Sequence, residues 1–175
     1  MQKLLAQFPG IKESVSATTR EPRPGEIDGT HYHFLTRKEF NEWVSSDLFM
    51  EYAEYNQNLY GTPLLPLQKR MKKGLDTIVI LEIAGAANVK KMIPESVLIF
   101  ISPPSIEELE RRLKNRGTES DEEIQKRLSI AREELEHSSN FDHVVINVDE
   151  DYTYNKICAI IICAMIDGEH NARTK

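Results

Sequence analysis

The sequence predicts an α/β protein, because short apolar runs rich in β-branched residues alternate with capped amphipathic segments. A turn-rich, aromatic stretch over residues 25–61 interrupts this alternation and reads as a small β-rich lobe inserted into the α/β body. The apolar runs are residues 77–83, 96–101 and 143–147. Continuous apolarity of this kind fits strands covered on both faces, as in a parallel sheet flanked by helices.

Taken in order, residues 1–8 have the spacing of the last turns of a helix, closed by Pro9 and Gly10, with no cap at the start. Thr36 and Glu39 form a capping box, and Phe40, Trp43 and Val44 follow at helical spacing. Ser105 with Glu108, and Ser120 with Glu123, predict two more boxes. Behind the last, Ile124, Leu128, Ala131 and Leu135 make an apolar stripe. Residues 155–166 predict a largely buried closing helix, and the polar residues 167–175 a frayed end. No repeat or low-complexity tract breaks the 175 residues, which suit one domain.

The net charge of −6 argues against general nucleic-acid binding, which needs a basic surface. Cys158 and Cys163 sit five apart in an apolar run and read as buried thiols in a reducing compartment. The longest apolar run, residues 157–166, is half the roughly 20 residues of a membrane span. With no apolar leader either, a cytoplasmic protein is expected.

Three constellations carry chemistry. In Ser14-Val-Ser-Ala-Thr-Thr-Arg20-Glu-Pro-Arg23-Pro-Gly-Glu26, two arginines three apart are held by prolines. Their planar donors suit phosphate oxygens, although a plain surface turn has the same spacing. Glu51 lies in an apolar, aromatic setting and needs a partner, either a salt bridge or a ligand with two adjacent N–H donors. The third runs from Glu110 to Arg127, with Gly117 separating two charged helices; it reads as solvated helices or as an arginine-bearing lid over phosphates. His31 and His33 alternate on an expected strand, and no third ligand makes them a metal site.

Together these residues resemble the guanylate kinase family over about residues 5–166. The matching stretches are residues 14–26, then Asp28-Gly-Thr-His-Tyr32-His-Phe, Phe49-Met-Glu51-Tyr-Ala-Glu and Asn58-Leu-Tyr60-Gly-Thr62-Pro. The lid and Phe141-Asp-His-Val-Val-Ile-Asn147 also match. The resemblance implies a P-loop-kinase-like parallel sheet, a GMP-binding lobe over about residues 14–65 and a lid over about 105–135. It implies the reaction of ATP and GMP to give ADP and GDP, with Mg²⁺. Arg20, Arg23, Tyr32 and Tyr60 would hold the phosphate of GMP, with Ser16 nearby. Glu51 would accept from guanine N1–H and the 2-amino group, Thr62 would bond the guanine edge, and Glu82 keeps one acidic position. Arg116 and Arg127 would act on the transferring phosphoryl group. Arg112 and Asn147 would lie on the ATP side.

The sequence departs from the family in two places. Residues 1–175 carry no G-x-x-x-x-G-K-[ST] phosphate loop, so the loop and first strand are expected to be missing and turnover to be weak. Around Leu81-Glu82-Ile83-Ala84-Gly85-Ala86 an aspartate is absent and the segment is about two residues shorter than in the family. Three readings follow: a shortened guanylate kinase, a module binding GMP or a phosphopeptide without turnover, or a poorly folding remnant.

Overall fold

The computed structural model describes residues 1–55, 57–117 and 119–173. It is a mixed α/β structure in two compact units, Met1–Ser96 and Val97–Lys175.

In the first unit, helix α1 (Gln2–Gln7) ends as expected before Pro9, and strand β1 (Lys12–Glu13) follows. The β-rich lobe begins earlier than its turn-rich composition suggests, at β2 (Ala17–Thr18). With β3 (His33–Phe34), β4 (Phe49–Tyr55) and β5 (Asn58–Pro63) it forms a four-stranded sheet in the order β3-β2-β5-β4. Of the two histidines expected on a strand, only His33 lies on one. His31 sits in the preceding turn, where its Nδ1 accepts from the Ile27 N–H at 2.9 Å.

Helix α2 (Arg37–Ser45) starts at the full Thr36/Glu39 capping box. It covers this sheet with Phe40, which is fully buried and stacks on Phe49 at 4.5 Å between ring centres. Burying a phenylalanine to this extent contributes about 1.5–3 kcal/mol. Helix α3 (Leu64–Met71) leads to β6 (Thr77–Ile78), which pairs in parallel with β1. Helix α4 (Ile83–Met92) packs on β4. A core of Met50, Leu67 and Val89 fills the space beneath, with Leu81 and Ile93 against it.

Here the strand expected over residues 77–83 is corrected. Only Thr77 and Ile78 find a partner strand, Ile80 is 65% exposed, and Ile83 already opens α4. β-branched composition favours extended backbone, but a strand ends where its ladder ends.

In the second unit, β7 (Ile99–Ser102) and β8 (His143–Ile146) pair in parallel over their whole length. Both differ by only a few residues from the expected runs. They are not covered on both faces: Ile101, Val144 and Ile146 are each 49% exposed. Helices α5 (Ile106–Arg116) and α6 (Asp121–Glu136) pack through Leu113, Ile124 and Leu128. The Ser120/Glu123 box is complete. The Ser105 box is half made: Ser105 Oγ accepts from the Glu108 N–H, while the Glu108 carboxylate turns to Arg111 and Arg112. Two guanidiniums outcompete one backbone N–H for an anion.

The closing helix α7 (Glu150–Arg173) starts earlier, ends later and is less buried than expected. Ile162, Met165 and Ile166 are exposed, as is Cys163, and Cys158 is only half-buried. Extending an existing helix costs far less than starting one, so the polar residues after Ile166 stay helical through Arg173. The last two residues, and Thr118 of the expected lid, lie outside the described residues. Among the described residues no helix is long and apolar enough to cross a membrane.

Candidate functional site

The first unit gathers a buried acid, an arginine and two tyrosines on and beside its four-stranded sheet. Glu51 and Thr62 face each other across β4 and β5. The register shifts between Phe49 and Glu51, so β4 carries a bulge there. A regular strand sends neighbouring side chains to opposite faces. The bulge lets Met50 and Glu51 both be buried, Met50 in the core and Glu51 at 9% exposure. Thr62, 1% exposed, donates its hydroxyl to Glu51 Oε1 at 2.7 Å.

Among the described residues, the acid's partner is a hydroxyl. Burial pushes the Glu51 carboxyl above its ordinary value, the Thr62 hydrogen bond opposes this, and the charge of Glu82 adds to it. Glu82 itself is exposed and stands at the N-cap of α4.

The arginine-rich turn leads out of β2. Arg20 is half-buried and forked onto Glu26: Nη1 to Oε2 at 3.0 Å and Nη2 to Oε1 at 2.9 Å. Its guanidinium lies 5.5 Å from the Tyr32 ring centre and 5.8 Å from that of Phe34. Tyr32 and Tyr60 meet edge-on at 6.2 Å. Glu26 also accepts from the Arg23 N–H at 2.6 Å, while the Arg23 side chain is exposed. The Arg20 fork and then the Arg23 N–H hold the Glu26 carboxyl down to about 2. Ser16 is half-buried at the start of β2, and its carbonyl accepts from the His33 N–H at 2.8 Å.

The unit thus brings Arg20, Tyr32 and Tyr60 together at one place and Glu51, Thr62 and Glu82 at another. Glu26 stands in the motif but was not singled out by sequence reasoning. Its signal is an acid three residues beyond Arg23 in a proline- and glycine-bounded turn.

In the second unit, Arg112, Arg116, Arg127 and Asn147 line one cavity of about 210 Å³ with apolar walls from Ile101 and Leu109. Arg112 donates to Glu108 Oε1 at 2.7 Å and to the Val148 carbonyl at 2.9 Å. Arg127 pairs with Glu119 at 2.9 Å. Arg116 is exposed at the last turn of α5, which Gly117 ends in the left-handed conformation at φ 62°. Asn147 accepts from the Thr153 hydroxyl at 3.0 Å through its side-chain oxygen. Two residues of α5, one of α6 and Asn147 just beyond β8 converge, three of them cationic, as a site for anionic oxygens would require. Among the described residues no group of three or more His, Cys, Asp or Glu could hold a metal ion.

Residues 1–163 match the family model for guanylate kinase. The chain belongs to the guanylate kinase family. It is 47% identical over 161 residues to the guanylate kinase of Desulfitobacterium hafniense (strain Y51), covering 92% of this chain and 80% of that one. It is likewise 47% identical over 168 residues to the guanylate kinase of Caldanaerobacter subterraneus subsp. tengcongensis, covering 96% and 82%. Among solved structures, guanylate kinase from Anaplasma phagocytophilum superposes with a TM-score of 0.77 at 36% identity, over 93% of this chain and 78% of that one.

Proposed function

We propose that this chain binds GMP through its first unit and takes part in the guanylate kinase reaction, ATP plus GMP giving ADP plus GDP. The buried Glu51–Thr62 pair carries this reading. A carboxylate removed from water, with one hydroxyl partner, presents an acceptor edge to two adjacent N–H groups. Guanine offers N1–H and the 2-amino group side by side. Adenine places a lone pair at N1 and no 2-amino group, so AMP leaves the acid unpaired, a large penalty for a buried group.

Arg20, Arg23, Tyr32 and Tyr60, with Ser16 nearby, are assigned to the GMP phosphate, and Glu82 to the acidic edge of the base site. Arg116 and Arg127 are assigned to the transferring phosphoryl group, where their positive charge offsets the negative charge on its oxygens. Arg112 and Asn147 are assigned to the ATP side. Guanylate kinases are ATP-dependent and generally use Mg²⁺, an ion held largely by water and the substrate's phosphates.

The activity assigned to residues 1–175 is GMP binding by the first unit. A phosphopeptide could use the Arg20 fork, but it gives Glu51 and Thr62 no partner, and that reading is not adopted.

Calorimetric titration tests the assignment. The chain binds GMP in preference to AMP, and Glu51→Gln lowers that preference by roughly ten- to a hundredfold, because the amide turns an acceptor into a donor facing donors. Equal binding of the two nucleotides by the unmodified chain would sink it.

A further inference from the structure

The Glu51 carboxylate is confined from a direction that its hydrogen bond does not reveal. Gly85 is buried in the first turn of α4, three residues beyond the N-cap Glu82. A Cβ built on Gly85 would stand 2.6 Å from Glu51 Oε2, 2.9 Å from Cδ and 3.1 Å from Cγ. No side chain tolerates the first two distances. Turning the carboxylate about its last bond moves only the oxygens. Cδ and Cγ stay in place, so relief requires the whole end of the side chain to leave. Leaving breaks the 2.7 Å bond from Thr62.

The two contacts are complementary. Thr62 holds Oε1 from β5, and the bare backbone of Gly85 makes room for Oε2. Gly85 belongs to the first turn of α4, so Oε2 lies near the helix's positive end. The first bond within the helix runs from the Ala86 N–H to the Glu82 carbonyl, so the N–H groups of residues 83–85 point out of its end.

We infer that Gly85 is a positioning residue for guanine selectivity: its missing side chain is the space that the Glu51 carboxylate occupies. This rests on the GMP reading given above. The glycine is not required by its backbone angles, since it lies within a regular helical turn rather than in the left-handed region. Alanine is in fact the better helix former there. The position thus trades helix propensity for a place to put an acid.

This separates a positioning role from a structural one. Gly85→Ala in the full chain is expected to lower its thermal midpoint by about a few degrees and to keep a cooperative melt, since the Thr62 bond given up is offset only in part by helix propensity and by the acid's return toward water. Its GMP affinity falls roughly ten- to a hundredfold while AMP affinity is unchanged, so the GMP-to-AMP ratio collapses. Adding Glu51→Asp, which withdraws the carboxylate by one methylene, recovers part of that ratio relative to Gly85→Ala alone. A nucleotide-free readout runs beside these: the Glu51 carboxyl carbon, followed by NMR against pH, titrates closer to the ordinary carboxylate value in Gly85→Ala, because the acid has moved toward water.

An unchanged ratio together with an unchanged carboxyl titration overturns the inference. If Gly85→Ala gives no cooperative melt, the double variant decides: recovery of the melt by Glu51→Asp places the clash at the carboxylate and sustains the inference, and no recovery overturns it. If the unmodified chain shows no preference for GMP, the reading of the pocket fails, and the carboxyl titration still decides whether Gly85 positions Glu51.

Discussion

Glu51 does its proposed work only while ionised, and its surroundings oppose ionisation. Burial raises its pKa, and the charge of Glu82 does so further. A raised folded value means that the folded chain holds the proton at a pH where the unfolded chain has lost it. Ionising Glu51 as pH rises through that value therefore costs stability, and guanine recognition is gained in the same window. The GMP-to-AMP affinity ratio, in which the shared phosphate cancels, should fall as pH drops toward the Glu51 value, which burial raises above the ordinary one. Titrations at a series of pH values check this. A ratio constant down to the ordinary carboxylate range would remove Glu51 from the recognition.

At the scale of elements, the arginines of the second unit are only as well placed as the helix pair that carries them. Leu128, 1% exposed, and Leu113, 4% exposed, are the contact between α5 and α6. Leu128→Ala should cost about 2–5 kcal/mol by denaturant melting, the range for a buried leucine whose site cannot fully collapse. A loss below about 1 kcal/mol would show that α6 does not depend on this contact. The start of α6 was legible in the sequence because capping is local: Ser120 and Glu123 need only each other. The half-made Ser105 box was not, because Arg111 and Arg112 one turn later compete for the same acid. Glu51 was legible as a buried carboxylate with a missing partner. Its burial beside Met50 was not, since it depends on a bulge that only pairing with β5 creates.

At the scale of the whole molecule, strand existence was easier to read than strand extent. Residues 143–147 kept nearly their full length because β7 runs alongside. Residues 77–83 kept only two positions because β1 offers only two. Composition sets what backbone is favoured, while neighbours distant in sequence set how far it runs.

The Arg20 fork has a consequence for the entropy of binding. A free arginine side chain carries about 2 kcal/mol of rotamer entropy, which a ligand ordinarily has to remove. Here Glu26 grips both ends of the guanidinium, and the rings of Tyr32 and Phe34 lie beside it, before any ligand arrives. The loss of freedom is settled when the chain folds. Under the proposed assignment, an arriving phosphate would meet a donor already at rest.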